Sequence, residues 1–309
     1  IDLVHQAFGR TEMVPLVAPH VIHIDLIDGR STPDARWDAI LTHVPDAPAS
    51  EAPVVKRYWH DGVRHLAEAS DSGALMVFDA DAKRAVVRYP SIETLPSHER
   101  SAPMRDVLHW IHAAQGLALL HAAAVATQQG GLLIVAPSGR GTSTVATTLL
   151  RRGFAFARED YVAFDPNSLR AYGIHRTVKV YPEDVARHGA LQANAYGGPL
   201  DPGEKAILFL EKAPGGFLEG IPITATAAPT LEAGPLGWAR TQGARTLAAL
   251  APSTLIQAAG FRSETLAACT RVAQSVPAFT WRPGPLDGDY EARVEANAHA
   301  MIAAAQGHA

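Results

Sequence analysis

After an unbroken apolar run, Gly131-Leu132-Leu133-Ile134-Val135, the chain turns through Ala136-Pro137-Ser138-Gly139-Arg140-Gly141-Thr142-Ser143-Thr144 and enters a stretch of helical periodicity over 144–152. Nothing else in the sequence limits the fold as strongly. Five consecutive apolar residues suit a strand buried on both faces. Gly153 sits where a helix is stopped by a residue free to take left-handed dihedrals. A strand, a Gly-rich turn and a helix in that order bring successive backbone N–H groups to a helix N-terminus, where they converge on an anion.

Compared with the phosphate-binding pattern G-x-x-x-x-G-K-[ST], the turn keeps Gly141 and Ser143, has Ala136 for the first glycine and has Thr142 for the lysine. In that pattern the lysine neutralises the β and γ phosphates and the hydroxyl reaches Mg²⁺. Losing the ammonium removes a charge-assisted contact worth about 1.5–3 kcal/mol in binding. Arg140, two residues away, and Arg176 or Lys179 from elsewhere in the chain are the cations that could replace it. The expected phosphate-site residues are Pro137, Ser138, Gly139, Arg140, Gly141, Thr142, Ser143 and Thr144, with Ser143 on the metal. Read alone, two matches in four fixed positions favour an ordinary strand–turn–helix corner.

Composition narrows the rest. The 309 residues carry 27 Lys+Arg against 31 Asp+Glu, a formal charge of −4, and include one cysteine. There is no basic cluster of the kind a nucleic-acid binder needs. One cysteine excludes an intramolecular disulfide framework and a cysteine zinc cluster. No apolar run reaches membrane-spanning length, and no signal-type segment opens the chain. The expectation is a cytoplasmic protein without nucleic-acid or membrane partners. Residues 1–102, rich in Pro, Asp and His with short apolar runs at 21–24, 74–78 and 85–89, are expected to form a smaller mixed or β N-terminal domain. The runs at 74–78 and 85–89 flank a polar connection of hairpin length, and 46–50 has loop composition. From 103 to 309 helices and strands alternate, which argues for an α/β core. Helices are expected from 107 through 120, at 144–152, 246–259, 263–274 and 290–305. Further strands are expected at 161–164, 206–210 and 276–282.

Around the Gly-rich turn the order of segments is informative. Leu119-Leu120-His121-Ala122-Ala123-Ala124-Val125 precedes it; Gly153-Phe154, Glu159-Asp160 and Tyr161-Val162-Ala163-Phe164 follow. This order resembles the HPr serine kinase family, especially the shorter related kinases found beside peptide-modification and lasso-peptide genes. The closing Val276-Pro277-Ala278-Phe279-Thr280-Trp281 and Leu286-Asp287 are similar to that family's last strand and Asp-bearing turn, so the resemblance spans roughly residues 105–300. It implies a P-loop core like that of HPr kinase and phosphoenolpyruvate carboxykinase, binding ATP and Mg²⁺. It further implies that Asp160, with Glu159 beside it, lies near the γ-phosphate and metal, that one of the pair activates the acceptor hydroxyl, and that His121 helps position phosphate. Metal ligation is implied for Ser143 and Asp160. The segment from Arg176 to Pro182 resembles the family's basic, proline-containing stretch; on its own it reads as a surface strand and turn. Glu159-Asp160 on its own reads as a solvated pair at a strand start. Arg240 and Arg245 lie in a Gly-rich stretch where phosphate-contacting arginines would fall.

Other constellations point away from chemistry. His20 with His23, and His60 with His65, lack an acidic partner at metal-ligand spacing, and the histidines are expected at the surface. Cys269, among Ala267, Ala268 and Val272, is expected buried and inert. Ser138-Gly139 does not form a nucleophile elbow. The sequence therefore supports a kinase-like protein moving the γ-phosphoryl of ATP to a Ser or Thr hydroxyl of a peptide or small protein. The alternative is a degenerate pseudokinase that binds a peptide or protein without transfer. A homo-oligomer is compatible with either.

Overall fold

A computed structural model describes residues 7–8, 22–29, 55–137, 139–189, 191, 193–195, 203–230, 234–257 and 259–307. Val21, His20, the 46–50 loop and Ser138 lie outside them. The chain is a mixed α/β protein, with three sheets among the described residues. Among the described residues no helix is long and apolar enough to cross a membrane.

The first sheet holds β1 (His23–Asp28), β2 (Val55–His60), β3 (Arg64–Ala69), β4 (Leu75–Asp79) and β5 (Arg84–Tyr89), ordered β1-β5-β4-β3-β2. The 74–89 hairpin forms as the polar connection between the two apolar runs predicts, with Leu75 opposite Arg88 and Asp79 opposite Arg84. A short helix α1 (Ser97–Ser101) leads to α2 (Arg105–Ala113). Val107, Trp110 and Ile111 of α2 pack with Phe78, Val87 and Ala259.

The expected helix through residue 120 is corrected: α2 ends at Ala113, and β6 (Ala118–Leu120) pairs antiparallel with β10 (Val162–Asp165). Gly116 at φ 79° breaks the helix, and sheet pairing outweighs the helical preference of Leu119 and Leu120.

The second sheet has nine strands. Its main path is β6, β10, β11 (Arg170–Gly173), β15 (Gly220–Pro229), β8 (Gly130–Ile134), β7 (Ala123–Thr127) and β9 (Ala155–Arg158), with β16 (Gly237–Thr241) and β17 (Ala278–Arg282) attached through β15. Strand β8 is buried along its whole length, as its five apolar residues predict. Leu132 and Ile134 join one core with Val145 and Leu149 of α3 (Thr142–Arg151) and Met301 of α6 (Tyr290–Ala305). Leu133 and Val135 join the opposite core with Leu250 of α4 (Gly243–Leu255) and Cys269 of α5 (Arg262–Ser275). The period-2 alternation of a strand thus sets one helix layer on each face. A third sheet pairs β12 (Thr177–Val180) and β13 (Ala193–Ala195) with β14 (Ala206–Leu210).

The expectation of surface histidines is also corrected. His65, His109, His175 and His188 are buried. His65 stacks 4.8 Å from Phe261 and 5.5 Å from Trp110, because its position on β3 faces the packed side of the first sheet.

Candidate functional site

Strand β8 runs between β15 and β7, and the Val135 amide donates to the Ala227 carbonyl, so the Gly-rich turn rises from the middle of the sheet. Gly139 and Gly141 take φ values of 78° and 89°; these two left-handed positions are where the turn needs glycine. Gly141 caps α3. Pro137, Gly139, Gly141, Thr142, Ser143 and Thr144 line one wall of a cleft of about 550 Å³.

His121, Glu159, Asp160 and Lys179 line the same cleft. Glu159 follows the end of β9 and is only 4% exposed. Its Oε2 accepts a hydrogen bond from the Lys179 backbone N–H at 3.1 Å, and the Ser143 hydroxyl also bonds this carboxylate. Burial, reinforced by the neighbouring Asp160 charge, raises the Glu159 carboxyl above the ordinary glutamate range. Asp160 sits in the left-handed region, φ 78°, a conformation aspartate tolerates better than most side chains.

Both Asp160 oxygens are engaged. Lys179 Nζ lies 2.7 Å from Oδ2, and His121 Nε2 lies 3.2 Å from Oδ1. Burial by itself raises an aspartic acid, but the Lys179 ammonium and the His121 contact outweigh it and hold Asp160 far below the usual carboxylate range. Burial likewise opposes the charge on Lys179, and Asp160 and its neighbours overcome that, raising the ammonium. The two shifts have one source: opposite charges about 3 Å apart in a partly desolvated site. A solvated acidic pair, the simpler reading of Glu159-Asp160, is therefore not what the chain makes.

A buried second layer supports these groups. The Tyr161 hydroxyl donates to Gln257 Oε1 at 2.8 Å, and its ring lies 5.4 Å from that of His121. Arg105 Nη1 reaches Tyr161 Oη at 3.4 Å while Nη2 pairs with Asp106 at 3.3 Å. Burial pushes the Tyr161 hydroxyl up to about 12. The His121 backbone N–H donates to Thr254 Oγ1 at 3.1 Å, and His121 Nδ1 has no hydrogen-bond partner.

Of the three cations considered as replacements for the missing lysine, Lys179 alone lines this cleft. Arg140 is exposed. The Arg176 guanidinium lies 4.8 Å over the Phe217 ring. Arg240 and Arg245 line a separate depression with Thr241 and Gln242. Leu286 borders the cleft, whereas Asp287 pairs with Arg293 at 3.1 Å.

Read on its own as a surface strand and turn, 176–182 gives no reason to prefer Lys179 over the other two candidate cations. The alternation Thr177-Val178-Lys179-Val180 held the signal, since it separates Lys179 from the apolar Val178 and Val180. Arg105 and Tyr161 had no local signal, because their roles arise from contacts across 56 residues.

Mg²⁺ keeps several waters and is commonly held by one or two carboxylates together with phosphate. Among the described residues no group of three His, Cys, Asp or Glu side chains could hold a metal ion. Ser143 and Glu159, in contact with each other at the cleft wall, are a donor set that fits an ion shared with phosphate. Asp160, with both oxygens paired, fits less well.

No family model matches the chain, and no curated protein matches it. Among solved structures, the HPr(Ser) kinase/phosphatase from Coxiella burnetii aligns over 59% of this chain and 94% of its own, at 13% identity and a TM-score of 0.30. A likeness of that size carries no argument, and the residues of the cleft are what bear on function.

Proposed function

We propose that the cleft binds the phosphates of ATP on the Gly139–Thr144 turn and passes the γ-phosphoryl group to a hydroxyl, in the manner of an HPr-kinase-like enzyme. The observation that carries this is the Lys179 ammonium. It lines the same cleft as the turn and supplies, from β12, the cation that Thr142 does not. Phosphoryl transfer rests on positioning and charge stabilisation, so a cation arriving from another element serves as well as one in the loop if it reaches the phosphates.

The chain's own residues then divide the work. The amides at the start of α3 hold phosphate oxygens. Ser143 and Glu159 would hold Mg²⁺, which neutralises phosphate charge when bound. Incoming phosphate draws Lys179 away from Asp160 Oδ2. The freed carboxylate regains proton affinity and takes the acceptor's hydroxyl proton. The acceptor oxygen bonds the γ-phosphorus, the bond to the bridging oxygen breaks, and ADP leaves with that electron pair. His121 keeps Asp160 aimed.

A second reading has its own support. With both oxygens paired, Asp160 is a weak proton acceptor, which suits a protein that binds ATP or a peptide without transfer. Calorimetric titration with ATP, with and without Mg²⁺, tests the common part. Micromolar, Mg²⁺-dependent binding is expected, weakened at least tenfold in Lys179→Ala and recovered when Thr142→Lys is added. Absence of binding in all three proteins rejects both nucleotide readings. Release of labelled phosphate that is lost in Asp160→Asn favours transfer; binding with no release favours the second reading.

A further inference from the structure

A second cavity, about 530 Å³, adjoins the first and shares with it Ser143, Thr144, Lys179, Tyr181, Lys205 and Leu286. Beyond this shared ridge its walls come from the polar side of α3, the 3₁₀ helix Pro182–His188 and the start of α6. Five cationic side chains (Arg151, Arg152, Lys179, Arg187 and Lys205) face three carboxylates (Asp184, Asp287 and Glu291).

Arg151 is the fixed member, only 10% exposed. Its Nη2 meets Glu291 at 2.6 Å and its Nη1 lies 2.8 Å from His188 Nδ1, while its Nε is buried without a partner. Burial and the Arg151 charge hold His188 down to about 4, so the imidazole accepts from the guanidinium without adding charge at neutral pH. Arg187 and Glu291 are exposed, whereas Asp184 is half-buried at the rim. An ion pair with an exposed partner is worth little and exchanges readily for a better one. Thr147 and Thr148 spend their hydroxyls on carbonyls within α3, which leaves the arginines as the recognition groups. The Lys205 ammonium, 5.1 Å from the Tyr181 ring centroid, stands on the ridge between the cavities.

We propose that this second cavity is the acceptor subsite and takes an anionic group on the acceptor. That group is a carboxylate of an acidic peptide or the phosphate of a small phosphorylated alcohol. Arg151 and Arg187 hold the anion, and the ridge of Ser143, Lys179 and Lys205 leads the acceptor's hydroxyl to the phosphate turn. The inference rests on the nucleotide reading for what the hydroxyl meets, while anion binding stands by itself.

The test uses the full chain and three probes: a fluorescent Ser peptide flanked by Glu, its Gln counterpart, and glycerol phosphate as competitor. The Glu peptide is expected to bind at least tenfold tighter than the Gln peptide at low salt, with the preference cut at least fivefold in Arg187→Glu or, as a second variant, Lys205→Glu. Displacement by glycerol phosphate identifies a small phosphorylated acceptor; its failure to displace identifies the peptide. Equal binding of the two peptides with no binding of glycerol phosphate overturns the proposal, as does a preference untouched by both variants. Complete displacement of the peptide by saturating ATP also overturns it, because the cavity then belongs to the nucleotide. ATP titrated into the same preparation separates the two failures: ATP bound without anion preference removes the subsite and spares the nucleotide reading.

Discussion

In the cleft beside α3, charge is buried against charge: Asp160 pairs with Lys179 and is also contacted by His121, and all three are less than a quarter exposed. In the first sheet, ionisable side chains are buried against rings. His65 stacks on Phe261, Trp110 and His60 and shares a 2.8 Å hydrogen bond with the Tyr58 hydroxyl, while His109 donates to the Gly260 carbonyl at 3.0 Å. The same loss of water has opposite results. Opposite charges keep Asp160 and Lys179 ionised, whereas burial, helped by the neighbouring His60 and His109, pushes His65 down to about 4 and leaves it neutral. One region keeps buried charge by pairing it; the other removes charge so that a sheet and a helix can join.

The largest way to break the comparison is to remove the ring platform. Trp110 is fully buried, and its indole N–H donates to the Ala259 carbonyl at 2.7 Å. Trp110→Ala is expected to cost about 3–5 kcal/mol, read as a lowered urea midpoint. Next, Lys179→Met leaves Asp160 without its main counter-charge and is expected to cost about 3 kcal/mol. Adding Asp160→Asn should return more than half of that, and a double-mutant cycle measures the coupling. If the single and double variants are equally destabilised, the charge-on-charge account of the cleft fails.

Acid sharpens the contrast. The folded-state pKa of His65 lies below the value near 6.5 expected in the unfolded chain, so between about pH 6.5 and 4 the unfolded state binds more protons. Stability falls as pH falls through that window, by about 2 kcal/mol from pH 6.5 to 5 for this one group. Urea midpoints across pH 5–7 should show the slope, and His65→Gln should reduce it by this one group's share, leaving the part that other desolvated histidines such as His112 and His188 contribute. Asp160, held far below its ordinary range, adds no slope there, since its contribution is lost only at much lower pH. The smallest effect belongs to the far end of α3. Gly153 has φ 87° with no neighbouring atom near a Cβ position, so Gly153→Ala is expected to cost about 1 kcal/mol by thermal denaturation, from backbone strain alone.

Where the sequence was legible, short-range pattern carried the information. The 74–89 hairpin, the buried β8, the stop of α3 before Gly153, strand 206–210 and helix 290–305 all follow from alternation, apolar runs and turn residues read within a dozen positions. Strand β15 was missed although ten residues long and central to the second sheet. It reads Gly-Ile-Pro-Ile-Thr-Ala-Thr-Ala-Ala-Pro, whose prolines and alanines look like a loop. It is a strand because β8, β11 and β17 supply its hydrogen-bond partners, a long-range reason that propensity does not contain. Gly131 on β8 permits the close approach of β15, since a Cβ there would collide with the Ile221 side chain and the Pro222 carbonyl oxygen.

The candidate site divides along the same line. By itself the sequence determined the strand, the Gly-rich turn, the helix, and the absence of the loop lysine, because these are contiguous and their chemistry is set by residue type. Only the tertiary structure decided which of the three candidate cations stands in the cleft. Arg140, Arg176 and Lys179 are equal candidates as letters; pairing of β12 with β14 brings Lys179 to Asp160, while Arg176 turns to Phe217. A charge acts through distances of a few ångströms, and those distances are properties of the folded sheets and not of the spacing along the chain.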